Sequence, residues 1–541
     1  MDTKLVSLLS IVLSAICRAD TDIPCNQRIN DGYPNHIVCV CNATYCDTIS
    51  RIEPKPGTYI TYTSSQAGSR YLKGIGRIAK AIKTNDGTYE KVFEINPNKQ
   101  YQTIFGFGGA VTDATAINFK VLPEGAQNNW LDSYFSEDGI KYNMLRIPIA
   151  SSDFSETPYY YNEYPENDED LTNFTYTPQD INYKIPLLLG AMETASEEVW
   201  ALASTWSPPK WMKIVDEITA TSRLKIEYYQ TFADYHCNFI RLYEAAGVPI
   251  WGVTTSNEPI DGSMVSVPFG PQNTLGWTAF SMMKWLKNNF GPTMKSCNGK
   301  SRIILATDDQ RYMLPLWADV IVAQEEVSQY VDGYALHAYA DQSTPGDIVE
   351  SNLKKSPTKF VLGTEFCHST GSGPKVDLGS WDRGELYAVT ILDNLVNNYV
   401  GFIDWNMILD LQGGPNWSEN YVDSPTIVNA TSGEFYKQPM FYVMGHFSKW
   451  VPRGSKRIST VRRSPVKYTP DKNNIYDKSP ERKDIYDHVA FLTPKNTIVV
   501  IIANYYDAQT AALLIGSKQV TVFLEAHSVV TVEFNNPIRS P

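Results

Sequence analysis

The sequence predicts an α/β fold centred on a closed (β/α)8 barrel with a discontinuous β-sandwich beside it, and three observations carry the barrel. From about residue 101 to 405, short apolar runs alternate with longer amphipathic stretches, the signature of strands and helices in a parallel sheet. Eight such runs fit a closed barrel, at a length normal for one with insertions. Polar or aromatic residues follow several of the runs, and in a barrel those strand ends meet at one mouth.

In chain order, the runs are 104–107, 143–147, 199–203, 250–254, 303–306, 334–337, 360–363 and 402–405. The first leads through a glycine-rich turn to Asp113. No Lys-Ser or Lys-Thr follows that turn and the chain lacks a dinucleotide fingerprint, so it is no phosphate cradle. Arg146 lies within the second run, Trp206 follows the third, and Asn257 with Glu258 follows the fourth. The later runs end on His337 and Tyr339, on Glu365, and on Trp405 with Asn406.

Two of these strand-end residues, Glu258 and Glu365, supply what breaking an acetal requires: a proton donor for the leaving oxygen and a second carboxylate facing the cationic sugar carbon. Asn257 beside Glu258 adds an amide able to bind the sugar 2-hydroxyl. Asp113 is then expected to grip sugar hydroxyls, and Trp206 and Trp405 to wall a pyranose face. The structural alternatives are a surface Glu258 capping the next helix, a salt-bridged Glu365 and ordinary core tryptophans. There is no Gly-x-Ser-x-Gly elbow and no His-Glu-x-x-His, so neither a serine hydrolase nor a zinc enzyme is expected, and the reading calls for no metal and no cofactor.

The flanks, 57–100 and 486–535, alternate like strands and are expected to meet in one β-sandwich, with a Lys-, Pro- and Asn-rich insert at 464–484 as an exposed loop. The formal net charge of −12 argues against a nucleic-acid partner. Lys4, an apolar run over 5–16 and small residues near Cys17 and Ala19 read as a secretory signal over 1–19. In an oxidising compartment the clustered Cys25, Cys39, Cys41 and Cys46 form disulfides, either Cys25–Cys39 with Cys41–Cys46 or Cys25–Cys41 with Cys39–Cys46. Of Cys237, Cys297 and Cys367, at least one thiol stays free. Sequons stand at Asn42, Asn173, Asn416 and Asn429.

Eight motifs in order, CVCNATYC (39–46), GFGGAVTD (106–113), SYFS (133–136), NEP (257–259), DDQR (308–311), LGSWDRG (378–384), GGPNW (413–417) and FYKQPMFY (435–442), resemble the lysosomal glucosylceramidases, the acid β-glucosidases of glycoside hydrolase family 30, over nearly all the chain after residue 19. The resemblance implies Glu258 as acid/base and Glu365 as nucleophile of a retaining double displacement. It also implies that Asp113, Trp206, Asn257, Trp405 and Asn416 hold the glucose, with Arg146, Gln310, His337 and Tyr339 around the two carboxyls. If Asn416 grips sugar it carries no glycan, which leaves Asn42, Asn173 and Asn429. The implied regions are a small disulfide-bearing antiparallel sheet from 20–51 and 407–438, a sandwich from 52–100 and 452–541, and a barrel from 101–406 and 439–451. Of the two pairings, Cys25–Cys39 with Cys41–Cys46 is the one expected. The implied setting is the lysosomal lumen, reached by the secretory pathway, or secretion; the implied partners are glucosylceramide or a related β-glucoside, a saposin-type activator and an anionic lipid surface met without a membrane span.

The chain departs from the family where lipid enters. After the sixth run it reads Ala338-Tyr339-Ala340-Asp341-Gln342, and after Glu365 it reads His368-Ser369-Thr370-Gly371-Ser372, where the family is aromatic or bulky; Val267 replaces a Tyr. Lost apolar area weakens lipid grip, so a reduced preference for the lipid aglycone is expected.

Overall fold

The structure, a computed structural model, describes residues 22–30, 32–81, 89–219, 221–263, 272–368, 373–464 and 479–538, the side chains of 479–481 excepted. The signal segment, Val267, residues 369–372 and most of the 464–484 insert lie outside the described residues.

Eight parallel strands close a barrel in sequence order: Gly106–Ala110, Met144–Ile149, Trp200–Thr205, Ile250–Thr254, Ile303–Gln310, Gly333–His337, Phe360–Glu365 and Tyr399–Asn406. The eighth pairs back on the first through Gly401 with Gly106 and Phe402 with Phe107. Alternation sorts the side chains of each strand. Met144, Leu202, Leu305, Ala335, Leu362, Val400 and Ile403 pack together in one cluster, whereas Leu145, Ala203 and Ile304 join the main core. At the strand starts Phe105, Trp200, Trp251 and Phe360 plug the barrel floor, Trp200 and Trp251 stacking at 4.9 Å. A plugged floor leaves chemistry to the opposite mouth.

The glycine-rich stretch is the first strand itself. A Cβ on Gly108 would sit 1.7 Å from the Met144 carbonyl oxygen, so glycine is required by close strand packing and not by a ligand. Thr112 then caps the helix Asp113–Lys120 by accepting from the Thr115 N–H.

Beside the barrel, strands Gln27–Asn30, Tyr33–Cys41, Glu434–Lys437, Thr426–Asn429 and Ile408–Asp410 form a five-stranded sheet. Cys25 bonds to Cys39 and Cys41 to Cys46. A third disulfide, Cys237–Cys297, joins two chain segments 60 residues apart, and Cys367 is a buried free thiol. A ten-stranded sheet draws on both ends of the chain, with Ser528–Asn535 lying between Thr58–Ser65 and Thr497–Asn504. The unbroken apolar run in Thr497–Asn504 is explained by burial on both faces: Ile498, Val500 and Ile502 fill the sheet's own core, and Val499, Ile501 and Ala503 pack on the barrel's. No helix among the described residues is long and apolar enough to cross a membrane.

Candidate active site

The fourth and seventh strands deliver Glu258 and Glu365 to one cavity of about 460 Å³ at the barrel mouth. One carboxylate oxygen of each, with a ring nitrogen of His337, lie within 4.8 Å of one another. Backbone strain helps aim these groups. Glu258 (φ 39°) and Asp308 (φ 48°) occupy the left-handed region, at about 1–3 kcal/mol each, and are tied together by the Glu258 N–H donating to the Asp308 carbonyl at 2.9 Å. A bulge in the fifth strand between Thr307 and Asp309 accompanies that turn.

Arg146, fully buried, organises the floor of the site. It donates to Glu365 Oε2, to Asn257 Oδ1 at 2.7 Å and to Asp308 Oδ2 at 2.9 Å. Tyr339 donates its hydroxyl to Glu365 Oε1 at 2.8 Å, so two donors fix that carboxylate. His337 reaches Glu258 Oε1 through Nδ1 at 3.0 Å and Asp308 Oδ1 through Nε2 at 3.3 Å, and Gln310 donates to Glu258 Oε1 at 3.2 Å.

Burial, against the pull of His337, pushes the Glu258 carboxyl up to about 7, with Asp261 and Glu365 adding repulsion. Burial would also raise Asp308, but Arg146 and His337 outweigh it and hold that carboxyl well below the usual range. For His337, burial disfavours the cation, and Glu365, Asp308 and Glu258 outweigh it, so its pKa rises well above the ordinary value. The result is a proton-bearing acid beside a permanently charged frame.

Not every expected residue faces the cavity. Trp206, Asn257 and Trp405 line it, the two tryptophans stacked with centroids 5.3 Å apart. Asp113 does not. As the first residue of its helix it turns away, accepting from Ser155 Oγ at 2.6 Å and Tyr159 O–H at 3.1 Å, with Lys184 at 3.7 Å. Asn416 also lies behind the wall: its Oδ1 accepts from Ser418 and Asn420, and its Nδ2 donates to Asp153 Oδ2 and to the Asn420 carbonyl, both at 3.1 Å. With both amide hydrogens and its oxygen engaged, it has no capacity left for a sugar.

The cavity instead presents Asp153 and Asn420. Burial, then the charge of Glu365, pushes Asp153 up to about 7. The one available signal for Asp153 was its place in Ser151-Ser152-Asp153, just past the second strand; nothing in the sequence separates Asn420 from Asn416. Of the sequons, Asn173 is exposed, Asn42 and Asn429 are half-buried, and Asn416 is buried.

Two groupings among the described residues have donor atoms close enough for a metal ion. Cys41 and Cys46, beside Asp47, are joined by their disulfide and offer no thiolate. Glu258, His337 and Glu365 are engaged by Arg146, Gln310, Tyr339 and Asp308 as described.

The buried acids also set the pH dependence of stability. Besides Glu258 and Asp153, burial pushes Asp309 up to about 7 and Asp261 and Asp341 up to about 6, against about 4 in an unfolded chain. Their contribution is full below pH 4 and is lost as pH rises through 6 to 7, because the folded protein then binds protons that the unfolded chain has released. Histidines 236, 368 and 446, pushed down by burial to about 4, 4 and 3, oppose this below about pH 6.5, and Lys449, pushed down to about 7, opposes it near neutrality. The raised carboxyls outnumber these groups. We expect a melting temperature higher at pH 5 than at pH 7.5, read by calorimetry; the reverse order would contradict the assignment of these protons.

Comparison with known proteins identifies the family of the chain. Residues 104–451 match the glycosyl hydrolase family 30 TIM-barrel domain, and residues 454–532 match the family's β-sandwich domain. The chain is 37% identical to mouse (Mus musculus) lysosomal acid glucosylceramidase over 488 residues, covering 89% of each protein. It is 39% identical to putative glucosylceramidase 3 of Caenorhabditis elegans over 440 residues, covering 81% of this chain and 83% of that protein. SrfJ from Salmonella typhimurium shares the fold with a TM-score of 0.77 at 23% identity, over 88% of this chain and 99% of SrfJ.

Proposed function

We propose that this chain, which belongs to glycosyl hydrolase family 30 and is a glycoside hydrolase, cleaves the β-glucosidic bond of glucosylceramide or a related β-glucoside by double displacement through a covalent glucosyl-enzyme. One observation carries the reading: Glu258 and Glu365 meet on one cavity with carboxylate oxygens within 4.8 Å. A retaining pair stands about 5–5.5 Å apart and an inverting pair about 6.5–9.5 Å, leaving room for a water. The names of the mouse and nematode relatives support the substrate.

In this reading Glu258, protonated in the acid range, gives its proton to the leaving oxygen while Glu365 bonds to the anomeric carbon. Glu258, now a base, then takes a proton from water, which displaces Glu365. Arg146 and Tyr339 orient Glu365, and Gln310 and His337 orient Glu258. Asp153, Trp206, Asn257, Trp405 and Asn420 hold the glucose.

Because the first step needs the Glu258 proton, kcat/KM is expected to fall about tenfold per pH unit above pH 7. A profile flat from pH 5 to 8.5 contradicts the role. Proton NMR of the first-formed glucose tests the stereochemistry: the β-anomer is expected, and the α-anomer overturns double displacement.

The secretory route, a lysosomal setting and help from a saposin-type activator on an anionic lipid surface belong to the same proposal. The alternative substrate class is soluble β-glucosides, including β-1,6-glucan. It draws on the polar loop after the sixth strand, where Asp341 is buried against Arg311 and Asn394 and Gln342 lines the cavity. Rates on glucosylceramide vesicles against an aryl glucoside separate the two, and a strong lipid preference without an activator removes the alternative.

A further inference from the structure

We infer that Asp261 is a positioning residue for Glu258: its carboxylate accepts a hydrogen bond from the protonated Glu258 carboxyl and so keeps the proton in place until a leaving oxygen takes it. The inference rests on the reading of Glu258 as the acid of a β-glucosidase and adds to it the group that holds the proton.

The turn that follows Glu258 is fixed from several sides. The Asp261 N–H donates to the Glu258 carbonyl at 3.0 Å, the Ile260 N–H to Asp309 Oδ2 at 3.2 Å, and the Trp277 N–H to the Pro259 carbonyl at 3.0 Å. Gly262 closes the turn against the chain at Gly276, where a Cβ on Gly262 would sit 2.1 Å from the Gly276 nitrogen. A backbone clamped in this way leaves Asp261 little freedom beyond its own side-chain torsions. That side chain lines the cavity beside Glu258, and the two carboxyls lie within hydrogen-bonding reach of each other.

Two carboxyls can bond only if one of them carries a proton. On Glu258 the proton belongs to Oε2, because Oε1 already accepts from His337 Nδ1 and Gln310 Nε2. Both of those donors favour the ionised form, so an acid that must stay protonated needs a counterweight, and a neighbouring carboxylate is one. The charged groups that face Asp261 are Asp309, Glu258, His337 and Glu365. Around Glu258 stand His337, Asp261 and Glu365, with Asp309, Asp153 and the Tyr312 and Tyr339 hydroxyls also within its field. Glu365 is already engaged by Arg146 and Tyr339. Asp261, pushed up to about 6 by burial and by Asp309, ionises before Glu258, Asp309 and Asp153, each pushed up to about 7. It carries its charge while Glu258 still holds the proton.

The test compares kcat/KM on an alkyl β-glucoside at pH 5 and pH 7.5 in the wild type and in Asp261→Asn, Asp261→Ala and Asp261→Glu. In the Asn and Ala variants the ratio of the pH 5 value to the pH 7.5 value is expected to rise about tenfold over the wild type, as the alkaline limb moves down by about one pH unit. A ratio between two pH values cancels any general loss of active protein. Asp261→Glu keeps the charge, and its ratio is expected to stay within about threefold of the wild type. In a Glu258→Gln background, assayed by glucosyl-enzyme formation from a dinitrophenyl glucoside, adding Asp261→Asn is expected to leave the ratio unchanged, since no proton remains to be held. A ratio that moves less than twofold in both the Asn and Ala variants would overturn the inference and make Asp261 a contact of the leaving group or of the turn. So would a shift that persists in the Glu258→Gln background or that is as large in Asp261→Glu as in Asp261→Asn. A wild-type profile flat from pH 5 to 8.5 would instead remove Glu258 as the acid, and that is seen before any variant is made.

Discussion

Replacing Glu365 with Gln is expected to lower kcat by about 10⁴-fold or more while leaving the fold and glucoside binding in place. The amide keeps the size of the carboxylate and can still meet the Tyr339 hydroxyl, but it cannot bond to the anomeric carbon. Arg146 also holds Asn257 and Asp308, so it stays anchored when one partner is neutralised. The measurement is turnover together with covalent trapping: a mechanism-based glucosyl inactivator should label the peptide carrying Glu365 in the wild type and nothing in the variant. Near-full activity in the variant, or label on another residue, would sink the nucleophile assignment.

Glu258→Gln is expected to act unequally on substrates. With an alkyl or ceramide leaving group the loss should be about 10²–10⁴-fold, because an alkoxide cannot depart without a proton. With a dinitrophenyl leaving group, which departs unaided, the first step should be much less affected and the glucosyl-enzyme should accumulate, since the second step still needs the base. The fall in rate above pH 7 should vanish in the same variant. An equal loss on both substrates would mean that Glu258 shapes the site without moving a proton.

The barrel was legible because its strands obey a simple rule: each apolar run had to end at the same mouth, so Glu258, Glu365, Arg146, His337 and Tyr339 could be placed by counting from strand ends. Asp113 misled because a carboxylate after glycines looks like a ligand clamp. The glycines in fact serve strand packing, and a helix's first residue turned its side chain toward Ser155 and Tyr159. Asn416 and Asn420 lie four residues apart in a loop of irregular backbone, and which of them reaches the cavity depends on how that loop curls. Asp153 sat past a strand end like the others but was overshadowed by Arg146 within the same strand. The Cys237–Cys297 bond joins segments that only the tertiary structure brings near each other, so spacing carried no trace of it.

Ser528–Asn535, the last strand among the described residues, occupies an interior place in its sheet, paired on both flanks. All eight staves of the barrel lie before residue 407, yet Thr497–Asn504, which lays Val499 and Ile501 on the barrel core, has one edge paired only by Ser528–Asn535. A variant lacking Ser528–Asn535 should therefore carry both glutamates and still expose two unpaired strand edges, the mark of an aggregation-prone protein.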